Sequence, residues 1–257
     1  MFKFYSIPVL ETLENLIGKT PSIKFSSAFN LNDPFELKFN QLINPNPERQ
    51  KAEFFAVNPN STLKAFNEWY KNAITSERFV WYIEQEQRSS LAQELTLCSF
   101  TEDNKNNLMW SHYTNNHKGI CVEYSDTLFL YLKTVESYLT ESKVRYSKLP
   151  PSVDNLEKIN SKIMKMIFNK QEEWKYEKEY RVALSSKHET DFIKISQDLI
   201  KAVYIGSKAS PQVVDRIIKL INSTHIEIFY GITLGETYEV QFEKHKEGTF
   251  YMRSFWN

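Results

Sequence analysis

The chain has 257 residues, enough for one large domain or two small ones, and its 41% hydrophobic and 14% aromatic content can fill a core. With 32 basic and 32 acidic side chains the net charge is zero, which leaves no global field to gather nucleic acid and restricts such binding to a local patch. Two cysteines without a Cys-x-x-Cys spacing argue against structural zinc. No apolar run approaches the ~20 residues of a membrane span, and the N-terminus lacks a signal peptide's apolar stretch, so a cytoplasmic, soluble protein is expected.

In chain order, Phe2 to Ile7 reads as a short strand. Val9 to Leu16 reads as a helix with Leu10, Leu13, Leu16 and Ile17 on one face and Gly18 as its stop. Ser22 to Ser26 is a second strand. Phe29 to Glu36 is a loop: Asn32 and Asp33 favour local hydrogen bonds there, and Pro34 blocks a regular continuation. Residues 47–96 are rich in helix formers and free of glycine. They read as a helical insertion within a single domain, 1–257, because no linker is visible.

Leu95 to Phe100 and Gly119 to Tyr124 read as strands, separated by a turn at residues 104–107 and a helix from Leu108 to Thr114 that Asn107 can cap. A helix is expected over 126–140, a strand from Lys143 to Tyr146, and a helix from Val153 to Phe168 after Pro150 and Pro151. Tyr176 to Leu184 is expected as a strand with Glu177, Glu179 and Arg181 on one face. Strands at Phe192–Ser196 and Leu199–Ile205, an amphipathic helix from Ser210 to Asn222, and strands at Ile226–Phe229 and Tyr238–His245 complete the reading. Helices and strands do not strictly alternate, so the class is α+β.

Candidate chemistry concentrates in two stretches. From Leu97 to Tyr124, hydroxyls, two histidines, a Trp and a Tyr lie between apolar strands, and buried polar groups there must be paired or serve a site. Ser99 and Thr101 share one strand face and could hold a polar ligand, or simply end a strand. His112 and His117 match no metal spacing, and no metal site is expected. His112 could contact a ligand, whereas His117 reads as structural. The loop around Asn32 and Asp33 could line a pocket or form a rigid turn over a buried Phe35. Downstream, Glu177 and Glu179 at i and i+2 could enter one cleft, or face solvent with Arg181 and lysines as partners. Lys143, Arg145 and Lys148 form a small basic patch, read first as a solvated face. Gly-rich phosphate loops and Gly-x-Ser-x-Gly are absent.

Phe25–Glu36, Cys98–Glu102, Leu108–Tyr113, His117–Tyr124 and Trp174–Arg181 together resemble, in order, the prokaryotic domain-of-unknown-function 2971 family. The family name carries no activity. The order of parts also resembles an ADP-ribosyltransferase fold, with an early strand, a hydroxyl-bearing central strand and a late Glu-x-Glu strand in a mixed twisted sheet. That resemblance implies NAD as substrate. It makes Glu179 the catalytic carboxylate on the ribose 2′-hydroxyl and Glu177 the acceptor-side group. Ser99 and Thr101 would support the nicotinamide pocket, with His112, Tyr113, Asn32 and Asp33 as further contacts. Where related sequences carry a first-strand Arg this chain has Tyr5, so Lys3 or His112 would grip NAD. Trp110, Tyr113 and Phe35 could stack on a ring.

The expectation is an NAD-dependent ADP-ribosyltransferase-like protein, a toxin or phage-defence effector by superfamily habit. Its acceptor would be protein or nucleic acid, and an antitoxin or other neutralising partner would fit that habit. The alternatives are a non-catalytic binding module of the same fold and a nucleotide or nucleic-acid hydrolase.

Overall fold

A computed structural model describes residues 1–233 and 238–246. The chain opens with β1 (Phe2–Tyr5), α1 (Thr12–Ile17), β2 (Ser22–Ser27) and a short β3 (Asn40–Leu42). Three helices follow where helix formers predominate: α2 (Pro47–Val57), α3 (Leu63–Thr75) and α4 (Glu77–Glu94). Asn46, Thr62 and Ser76 each start one of them by accepting hydrogen bonds from first-turn backbone N–H groups. Then come β4 (Leu95–Thr101), α5 (Asn107–Tyr113), β5 (Ile120–Tyr124), α6 (Thr127–Leu132) and β6 (Tyr138–Lys143). The remainder is β7 (Arg145–Ser147), β8 (Ser152–Asp154), α7 (Ile159–Ile167), β9 (Asn169–Gln171), a 3-10 segment (Glu172–Glu177), β10 (Glu179–Ser185), β11 (Thr190–Lys194), β12 (Ile200–Ile205), α8 (Pro211–Ile221), β13 (Glu227–Ile232) and β14 (Gln241–Lys244).

Four local expectations are corrected. The helix expected over 126–140 stops at Leu132, and the chain from Tyr138 becomes β6 because it pairs antiparallel with β10. Val153 is a buried strand residue paired in parallel with Gln41, so α7 begins only at Ile159. Asn106, not Asn107, caps α5, its side chain accepting from the N–H groups of Leu108 and Met109. Glu177 ends a 3-10 turn instead of lying in a strand, and Lys178 (φ 46°) adopts the left-handed conformation before β10 begins.

Among the described residues the main sheet has ten strands in a mixed arrangement. β4 lies at its centre. Along one edge it pairs with β10 over its whole length, from Glu179↔Thr101 to Ser185↔Leu95. The other edge is shared: β1 meets it only at Phe2↔Thr101, and β2 only at Ser26↔Leu97 and Ser27↔Thr96. Cys98, Ser99 and Phe100 therefore sit in a fork between β1 and β2.

Alternation along β4 divides the core. Cys98 and Phe100 point into a cluster with Leu13 and Ile17 of α1, Leu128 and Leu132 of α6, and Val213, Ile217 and Ile221 of α8. Leu95 and Leu97 point the other way, against Ala92 of α4, Leu37 and Ile167 of α7. Ser99 and Thr101 share that second face, as do Glu179 and Arg181 across the register. Gly119 fits where β5 begins because a Cβ there would lie 2.1 Å from the Tyr5 carbonyl oxygen. No described helix is long and apolar enough to cross a membrane.

Candidate active site

The fork opens into a cleft of about 560 Å³, within the roughly 300–1,000 Å³ of small-molecule sites. β1 contributes Lys3 and Tyr5, β4 contributes Ser99 and Thr101, and β10 contributes Glu179 and Arg181. Asn32 and Glu36 reach it from the loop after β2, Tyr113 from α5, Lys170 from β9, and Glu177 from the 3-10 turn. The backbone opening is spanned by a side chain: Lys3 Nζ donates to the Ser99 carbonyl at 3.1 Å and lies 5.6 Å from the Phe100 ring centroid.

A buried charge network forms the floor. Arg181 is fully buried; its Nε donates to Glu179 Oε1 at 2.7 Å and its Nη1 to Glu36 Oε1 at 2.5 Å and the Ile167 carbonyl at 2.6 Å. Ser99 Oγ donates to the same Glu179 oxygen at 2.5 Å. The Glu179 N–H donates to the Tyr146 hydroxyl at 2.8 Å, which fixes the start of β10. Lys170 Nζ stands between the two candidate carboxylates, 2.7 Å from Glu177 Oε2 and 3.5 Å from Glu179 Oε2, and 4.7 Å from the Trp174 ring centroid. The Tyr113 hydroxyl donates to Glu177 Oε1.

These surroundings drive the two acids apart. Burial opposes the charge on Glu179, but Arg181 and Lys170 outweigh it and hold the carboxyl at about 2. Glu177 is buried too, and there desolvation prevails over Lys170, so its pKa is raised. Burial also works against the Lys170 ammonium, but Glu179 and Glu177 overcome it and raise that pKa. The result is one permanently anionic carboxylate beside a second that is easier to protonate, the pattern by which acid–base roles are divided.

Of the residues singled out from the sequence, Lys3, Tyr5, Asn32, Ser99, Thr101, Tyr113, Glu177 and Glu179 line the cleft. The Tyr5 hydroxyl pairs with that of Tyr124 at 2.8 Å, Thr101 Oγ1 accepts from the Asp103 N–H at 3.1 Å to close a turn, and Tyr113 is spent on Glu177. His112 and Asp33 lie elsewhere. His112 is exposed, with Nδ1 3.0 Å from the Tyr176 hydroxyl. Asp33 is buried, and its Oδ1 accepts from the Phe35 N–H at 2.8 Å.

Trp110 is fully buried and donates from Nε1 to the Asn104 carbonyl at 2.6 Å, so it is a core residue and cannot stack on a ligand. His117 is buried and stacked on Trp110. Phe35, read as buried in a rigid-turn view of its loop, is 49% exposed outside the cleft. Sequence reasoning left out Lys170, Glu36 and Tyr146 as site residues and gave Arg181 only a solvent-facing role. The place of Arg181, two residues after Glu179 on one strand face, was the available signal.

Residues 109–182 match the model of a family described as protein of unknown function (DUF2971). No curated protein and no solved structure matches the chain. The matched segment runs from α5 to β10 and supplies Tyr113, Lys170, Glu177, Glu179 and Arg181 to the cleft. Through that segment the chain carries the signature of the DUF2971 family, the kinship its motifs suggest.

Proposed function

We propose that the cleft binds NAD and that the protein transfers its ADP-ribosyl group to an acceptor. The observation that carries this reading is the contact of Ser99 Oγ with Glu179 Oε1 at 2.5 Å, inside a cleft of ligand size. It joins the hydroxyl-bearing central strand to the late carboxylate strand, the two parts whose order resembles the transferase fold. In the proposed reaction the bond between ribose C1′ and the pyridinium nitrogen breaks. Its electron pair stays on nitrogen, and nicotinamide leaves neutral. Glu179, anionic throughout the working pH range, offsets the positive charge developing on the sugar. An acceptor lone pair then bonds to C1′, and the proton that the acceptor loses passes to Glu177, whose raised pKa suits a base. Lys3 is the cation on the first strand available to the NAD phosphates.

The test is release of nicotinamide from NAD, with NAD binding followed by calorimetry. Glu179→Gln should lower turnover by about 100-fold or more, and Ser99→Ala, which leaves the Arg181 pair in place, should lower it less. Absence of both NAD binding and nicotinamide release would refute the proposal.

A second reading, a binding module of the same fold, draws on one observation. Glu179 already accepts from Ser99, Arg181 and Lys170, so a ligand hydroxyl would have to compete for it. Under that reading NAD binds and is not consumed.

A further inference from the structure

Two smaller cavities lie beside the cleft. Lys170 lines both the cleft and a neighbouring cavity of about 130 Å³. Phe35 and Lys38 line that cavity and a further one of about 400 Å³, whose wall includes Trp81 and Arg88. Neighbouring cavities thus share wall residues, and the three lie side by side as a track that starts beside Glu177. Its chemistry differs from that of the whole chain. The molecule is neutral, yet the two outer cavities are lined by Lys38, Lys148 and Arg88 against one carboxylate, Glu84, which accepts from the Gln41 N–H at 2.7 Å; Lys170, between the cleft and the first cavity, is committed to Glu177 and Glu179. Lys38 and Lys148 are exposed and enter no ion pair among the described residues.

The track also presents two half-exposed rings. Phe35 is 49% and Trp81 51% exposed, and Lys38 Nζ lies 4.8 Å from the Phe35 ring centroid. Half-exposed rings interleaved with cations suit a polyanion whose own rings are free to stack. A duplex keeps its bases paired, and an acidic peptide brings no run of rings to meet the half-exposed Phe35 and Trp81. We propose that this track binds single-stranded nucleic acid and guides it toward the cleft as the acceptor. The word acceptor rests on the ADP-ribosyl transfer reading; the binding itself does not.

The experiment is fluorescence anisotropy of the full chain with labelled oligo-dT and oligo-U, over a salt series. A duplex of mixed sequence and a poly-glutamate peptide serve as comparisons. Single strands should bind best and weaken with salt. Lys38→Glu with Lys148→Glu should weaken binding about 10-fold or more and reduce the log–log salt slope by about 1.4, at ~0.7 per phosphate contact. Trp81→Ala should weaken it about 5-fold or more, and Trp81→Phe should restore most of the loss. These side chains are exposed, so circular dichroism of the variants should match the parent. No single-strand binding, equal or better binding of the duplex or the peptide, or binding that these variants leave unchanged would overturn the proposal. Glu179→Gln should keep strand binding while losing nicotinamide release. Nicotinamide release without strand binding sinks this inference alone, and strand binding without nicotinamide release sinks the transfer reading alone.

Discussion

Arg181 has no contact with water, and its guanidinium is matched to two carboxylates, Glu179 and Glu36, and to the Ile167 carbonyl. A buried ion pair adds modest net stability when whole, but removing one partner strands the others. Arg181→Met should therefore cost about 3–5 kcal/mol in chemical denaturation, because Glu36 and Glu179 would face each other with only Lys170 nearby. Lys170 acts on both candidate acids. It restrains the upward shift of Glu177, so Lys170→Met should let burial raise that pKa further. If Glu177 is the base, the acid limb of the rate profile for nicotinamide release should then move to higher pH, and Lys170→Arg should move it back. At this scale the sequence was legible where side chains follow strand alternation: spacing put Ser99 and Thr101 on one strand face and Glu179 and Arg181 on another strand's face, while their meeting across β4 and β10 was implied only by the ADP-ribosyltransferase resemblance. Lys170 could not be placed, because β9 is three residues long and carries no period to read. Nor could α5 be sorted by type alone, since Trp110 turns into the core while Tyr113 turns into the cleft.

Among the elements, the strands at the sheet centre were easiest to anticipate, because β4 and β5 are short apolar runs bounded by turn residues. The segment that became β6 was misread because Leu128, Leu132 and Val135 continue a helical spacing, which pairing with β10 overrides. Glu177 and Glu179 do meet one cleft, but not by sharing a strand face. The left-handed turn at Lys178 swings the 3-10 segment so that both acids address Lys170. The junction of β1 and β5 sets the wall opposite. There Gly119→Ala would place a methyl 2.1 Å from the Tyr5 carbonyl oxygen and 3.0 Å from Thr114 Cβ. It should destabilise the fold by about 1–3 kcal/mol, measured as a lower urea midpoint with an unchanged slope.

For the whole molecule the central question is charge. Glu36, Glu177 and Glu179 are buried with Lys170 and Arg181, three acids against two cations, in a chain that is neutral overall. Glu179 titrates at about 2 in the fold against an ordinary 4.5, so its stabilising contribution is complete above 4.5 and is withdrawn as pH falls toward 2. Glu177 runs the other way: its pKa is raised in the fold, so its contribution is complete below 4.5 and is lost as pH climbs from there through the raised folded value. Denaturation at several pH values should show the parent losing stability on acidification. Glu179→Gln should be markedly less stable than the parent at neutral pH and approach it in acid. A difference that stays constant with pH would remove Glu179 from the account.

The fork in the sheet has a consequence for how this architecture could diversify. Its mouth is held by main-chain pairing at the two ends of β4, Phe2 with Thr101 on one side and Ser26 with Leu97 on the other. Side chains inside that frame can be exchanged without altering its span. Such a molecule can acquire new ligand preferences while its aperture stays constant, as a window keeps its size when the glass is replaced.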